Sequence, residues 1–159
     1  MTNNEVLQHI RYIFTLNNEK IVAIFQLAEC LQTDEEISNF FRKNGEQLFA
    51  RVADNTLASF LDGLIIEFRG AKDGAQAQLN QTVNNNIVFN KVKIALALKA
   101  DDIISLLDSA ELTLSKHELS AFFRKPEHKH FRVCNDETLL KFFNGLHLKN
   151  RQEIQEIKE

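Results

Sequence analysis

One proline, Pro126, and five glycines stand in 159 residues, so little in this chain interrupts a helix. Tryptophan is absent, and the two cysteines, Cys30 and Cys134, are too few for a disulfide framework or a thiolate metal site. The longest apolar runs, Ile21–Phe25 and Ile94–Leu98, are five residues long, far short of the roughly 20 needed to cross a bilayer. The opening Met1-Thr2-Asn3-Asn4-Glu5 shows no basic segment leading into an apolar one, so no signal peptide is expected and the expected compartment is the cytoplasm. There is no glycine-rich phosphate loop, no Gly-x-Ser-x-Gly elbow and no His-Glu-x-x-His. Neither an enzyme nor a bound cofactor is expected.

Net charge is also small. The net charge is −3, divided unevenly: residues 1–80 carry 7 basic and 11 acidic groups, residues 81–159 carry 12 and 11. Neither half is basic enough to coat a nucleic acid indiscriminately.

What the chain does contain, it contains twice. Asn3-Asn4-Glu5-Val6 returns as Asn85-Asn86-Ile87-Val88, Phe40-Phe41-Arg42-Lys43 as Phe122-Phe123-Arg124-Lys125, and Phe60-Leu61-Asp62-Gly63-Leu64 as Phe142-Phe143-Asn144-Gly145-Leu146. Each pair is offset by 82, and laying 3–70 on 85–152 without a gap gives 21 identities in 68 positions. Each copy must therefore form the same supersecondary structure.

Apolar residues recur at helical spacing in four segments per copy: Val6, Leu7, Ile10 and Ile13; Ile21, Ile24, Phe25 and Ala28; Ile37, Phe40 and Phe41; Leu57, Phe60, Leu61, Leu64 and Phe68. Thr33 with Glu36, and Ser115 with Glu118, read as capping boxes for the third helices, and Asp54 and Asp136 as N-caps of the fourth. The expected fold is all-α: two tandem four-helix repeats related by pseudo-two-fold symmetry and packed as one compact unit. The first repeat covers 3–70, a small, polar linker 71–83, the second repeat 84–152 and a helical extension 153–159. Independent beads, or a dimer exchanging copies across the linker, are the alternatives.

The aromatic pairs Phe40/Phe122, Phe41/Phe123, Phe49/Phe131 and Phe60/Phe142 read as core, so that emptying the Phe41 or Phe123 site is expected to cost about 3–5 kcal/mol. Cys30 and Cys134 align with Leu112 and Val52 and read as small buried hydrophobes. Gly63 and Gly145 fall mid-helix, where glycine costs about 1 kcal/mol, and point to close helix crossings.

Among polar candidates, Arg42-Lys43 and Arg124-Lys125 close the third helices, and Arg69 and Arg151 the fourth, where cations favour the helix dipole. Arginine also suits bidentate anion contacts. Lys129 and Arg132 add to the most basic stretch, Lys125–Arg132. A helix-turn-helix reading would make the third helix the recognition helix, but the first copy's begins Asp34-Glu35-Glu36. His117, His128 and His130 fit no zinc spacing, and no metal is expected.

The twofold pattern Asn-Asn-x-Val, Phe-Phe-Arg-Lys and Leu-x-x-Phe-x-x-Gly-Leu resembles the YehS-like family, bacterial proteins built from a duplicated domain of unknown function. The resemblance spans nearly the whole chain, including the 126–132 loop. It implies a soluble, cytoplasmic bacterial protein of tandem helical repeats and no activity, cofactor or catalytic residue. The function read from the residues is a non-enzymatic binding or regulatory module contacting a protein or an anionic ligand, as monomer or homodimer and without a membrane. The favoured surface is the one where Arg42, Lys43, Arg124 and Lys125 meet the 126–132 loop. The alternative is nucleic-acid binding through the more basic second repeat.

Overall fold

The computed structural model describes residues 1–71 and 82–158, without the side chains of 157 and 158. Among the described residues eight helices follow one another: α1 (Asn3–Phe14), α2 (Asn18–Leu27), α3 (Asp34–Phe40), α4 (Asp54–Arg69), α5 (Asn85–Ala95), α6 (Ala100–Ser109), α7 (Lys116–Ala121) and α8 (Asp136–Lys158). No strand occurs among the described residues, and no helix among them is long and apolar enough to cross a membrane. Residues 72–81, most of the expected linker, and Glu159 lie outside the described residues.

Short polar signals set the helix starts. Thr33 and Ser115 accept the N–H of Glu36 and Glu118, whose carboxylates reach back to the cap's own N–H. A third box, Thr2 with Glu5, opens α1. Asp54 and Asp136 differ from the expectation: they are the first residues of α4 and α8, not the caps. Ala53 precedes α4, and Asn135 accepts the Thr138 N–H at 2.8 Å ahead of α8. Each carboxylate is thereby freed for other bonds. Helix ends are duplicated too: Thr15 and Ala97 turn the chain at φ 52° and 53°, Glu29 and Glu111 at φ 58° and 67°.

The packing is reciprocal. α1 lies mainly on α8 and α5 mainly on α4, so each repeat's first helix packs more on the other repeat's last helix than on its own. Within a repeat, α2 contacts α4 and α3, and α6 contacts α8 and α7. One apolar cluster runs through both halves, with Leu7, Ile10, Phe25, Phe60, Phe89 and Phe142 fully buried. Phe40 and Phe122 are buried as expected. Phe41, Phe123, Phe49 and Phe131 are only half-buried, and Phe68 is 48% exposed. α3 ends at Phe40, so Phe41 leaves the helical register; α7 ends at Ala121, its C-cap Phe122 still turns into the core, and Phe123, like Phe41, sits at the core's edge. Cys134 is buried and Cys30 half-buried, both as free thiols.

The close crossings expected at both glycines are present. A Cβ on Gly63 would overlap the Ile24 carbonyl of α2, and one on Gly145 the Leu106 carbonyl of α6. Glycine to alanine in an exposed helix adds about 1 kcal/mol of stability. Here Gly63→Ala and Gly145→Ala should each remove about 1–3 kcal/mol, because the added carbon meets backbone that cannot yield without shifting a helix. Urea midpoints measure this; a higher midpoint for either variant would contradict the crossing.

Candidate functional site

The repeated Asn-Asn pair, which sequence reading could only note as an identity, builds the walls of the site. Asn4 donates from Nδ2 to the Phe40 and Ala50 carbonyls at 3.0 and 2.9 Å, and its Oδ1 accepts the Val52 N–H at 3.0 Å. Asn86 repeats this with Phe122, Arg132 and Cys134 at 3.0, 2.8 and 2.9 Å. Buried backbone groups need partners, and one amide supplies three in each loop. The segments 41–53 and 123–135, which carry the arginine-lysine pairs, are thus strapped to α1 and α5.

Asn3 and Asn85 tie the same loops to the fourth helices, donating to Asp54 and Asp136 at 2.7 and 2.8 Å. The second oxygen of each aspartate reaches across the repeats. Asp54 accepts the Val83 N–H at 3.1 Å, and Asp136 accepts the nitrogen of Met1, the position equivalent to Val83. The Met1 ammonium and the Asn85 amide hold the Asp136 carboxyl below its usual range.

Between α1 and the 41–52 loop lies a cavity of about 540 Å³, lined by Arg42, Lys43, Arg51, Asn44, Phe49 and Gln8, among others. Lys43 and Arg51 are exposed; Arg42 holds Asn39 Oδ1 at 2.9 Å and lies 3.8 Å from Glu46. A solvent-facing pair of that length restrains little. A second cavity of about 660 Å³ adjoins it, sharing Gln8 and Phe41 and adding Arg11, Tyr12 and His147. The Arg11 guanidinium stands 4.3 Å from the Phe41 ring centre, and Lys93 stands 4.3 Å from that of Phe123, its counterpart. This cation-on-ring pair survives in both repeats although 11 and 93 differ in residue type.

The other expected contacts scatter. Arg124 lines a separate cavity beside Phe123 and lies 3.3 Å from His128 Nε2. Lys125 and Lys129 are exposed, and Arg132 covers the Phe122 ring at 5.3 Å. Arg69 donates to the Ile94 carbonyl at 3.2 Å, joining α4 to α5; Arg151 is exposed on α8. So Arg42 and Lys43 share one cavity with Arg51, which sequence reading overlooked because its counterpart is Val133. The His117, His128 and His130 rings approach to 6.3 and 5.5 Å between centres, yet no His, Cys, Asp or Glu group among the described residues is arranged to hold a metal.

Comparison with known proteins bears on this doubled pattern. Residues 3–70 and 85–152 each match the model of the family described as "Protein of unknown function (DUF1456)". The chain belongs to that family. A relative from Escherichia coli (strain K12), described as "Uncharacterized protein YehS", is 42% identical over 147 residues, covering 92% of this chain and 94% of its own. No solved structure matches the chain.

Within this DUF1456 chain the interface between repeats has diverged in charge. Asp62, fully buried on α4, pairs with Lys91 of α5. The equivalent positions on the other side are Asn144 and His9, and His9 stacks on Phe143 with centres 5.4 Å apart. Burial pushes the His9 imidazole below the ordinary histidine range, with Glu5 pulling partly back. Burial also pushes the Cys134 thiol up to about 12.

A histidine whose folded pKa is depressed binds more protons unfolded, so its share of stability is complete above pH 6.5 and is lost as pH falls below that value. Thermal melts between pH 7 and 5 should fall less steeply for His9→Gln than for the wild-type chain. Equal slopes would place His9 in solvent. The half-burial of the second ring also revises the expected cost of its removal: Phe122→Ala should lose about 3–5 kcal/mol and Phe123→Ala clearly less. Equal losses in urea unfolding would show that both rings are core.

Proposed function

We propose that this protein is a non-enzymatic binding module whose first repeat holds an anionic ligand. One observation supports the reading above the others: Arg42, Lys43 and Arg51 line a single cavity whose rim is strapped down by Asn4. Guanidinium and ammonium groups on a fixed rim favour phosphate or carboxylate oxygens, with arginine able to bind two at once. The neighbouring Asn44 and Gln8 supply amide groups without charge. Glu5 also lines the cavity, but its carboxylate is engaged by the Thr2 N–H at 3.1 Å. The second reading, nucleic acid on the second repeat, draws on the exposure of Lys125 and Lys129.

Inorganic phosphate and pyrophosphate are the probes. A ligand present at 100 times its dissociation constant adds about 2.7 kcal/mol of stability, readable as a higher melting temperature. The wild-type chain should show a saturable rise with pyrophosphate, and Arg42→Ala/Lys43→Ala should abolish it. No rise, or the same rise in both proteins, would refute the site.

A further inference from the structure

The two cavities share Gln8 and Phe41 in their walls, so they adjoin along α1, one beside the 41–52 loop and the other reaching Tyr12 and His147 of α8. Cations and rings share this groove. Arg42, Lys43 and Arg51 stand in one part with Phe49, Phe41 lies at the shared wall, and Arg11 stands in the other part with Tyr12 and His147. Tyr12 stacks on His147 at 4.6 Å with 27° between ring planes, yet is 66% exposed. A ring covered on one face and so open to water presents its other face outward. The equivalent of Tyr12 is Ile94, and that of His147 is Ile65, so this aromatic step between α1 and α8 has no counterpart between α5 and α4.

A simple inorganic anion would use the cations and leave the rings without a role. A single nucleotide would be satisfied by the first cavity of about 540 Å³, whereas the continuation into another of about 660 Å³ suits a chain. Bases inside a duplex keep their faces on each other, so only an unpaired strand can lay them on protein rings. We infer that this groove binds single-stranded nucleic acid, phosphates against Arg42, Lys43, Arg51 and Arg11, and a base on the open face of Tyr12. The inference rests on the anion-site reading and specifies its ligand. It also moves the nucleic-acid contact away from the repeat with the larger basic count.

Fluorescence anisotropy of the full chain with labelled RNA and DNA strands of about 10 nucleotides tests it, a length within the usual span of one groove. Tyr12→Ala should weaken binding about 5- to 150-fold, the range for losing one stacked base, while Tyr12→Phe keeps it. Arg42→Ala/Arg51→Ala should flatten the log–log salt dependence by about 0.7 per lost phosphate contact. Arg124→Ala/Lys125→Ala/Lys129→Ala should leave the affinity unchanged. Binding that ignores Tyr12→Ala, or that disappears in the second-repeat variant, overturns the inference. If neither strand binds at low salt while pyrophosphate still stabilises the chain through Arg42 and Lys43, the strand falls and the anion site stands; if pyrophosphate fails as well, both fall.

Discussion

Burial of α1 against α8 and of α5 against α4 is the contact on which the remaining structure depends. Each fully buried Leu, Ile or Phe contributes about 1.5–3 kcal/mol relative to exposure, and the apolar cluster here is one body that draws on both repeats. His9 and Tyr12 on α1 stack on Phe143 and His147 of α8, and Lys91 on α5 pairs with the buried Asp62 of α4. Separated, the repeats would expose those faces, and a unit of roughly 70 residues has little surplus stability with which to absorb the loss. Asp54 and Asp136 reinforce the exchange at its ends, each binding its own repeat's asparagine and a backbone nitrogen from the start of the other.

That rigid frame is what allows the irregular segments to present charge. Asn4 and Asn86 each satisfy two carbonyls and one N–H of a loop that would otherwise bury unpaired backbone. The loops are therefore held in place without being helical, and Arg42, Lys43 and Arg51 are carried on one of them. Binding residues on fixed loops over a packed scaffold are a common arrangement, since a loop varies without disturbing the core.

The two repeats have kept the frame and changed the surface. Glycines, capping boxes, asparagine straps and the cation over the second phenylalanine all recur. Arg51 against Val133, Tyr12 against Ile94 and Asp62 against Asn144 do not. Counting charge per half favoured the second repeat, because such a sum includes Lys125 and Lys129, which stand in solvent, alongside any group that lines a cavity. The first repeat carries the larger negative charge and yet gathers three cations around one opening.

Helix content, the duplication, the third-helix caps and the glycine crossings were legible in the linear chain, because each depends on neighbours a few residues apart or on identity at a constant offset. Legibility ended at Phe41 and Phe123, where helical periodicity was extended one residue past the end of α3 and two past the end of α7. It ended also at Asn4 and Asn86, whose partners lie 36 to 48 residues away. The amino-acid order alone determined that two like helical blocks form and which faces they must bury. Only tertiary packing decided that each block lends its first helix to the other, and that Arg51 and Tyr12 join Arg42 along one groove, since these proximities come from folding back distant segments and leave no local periodic trace.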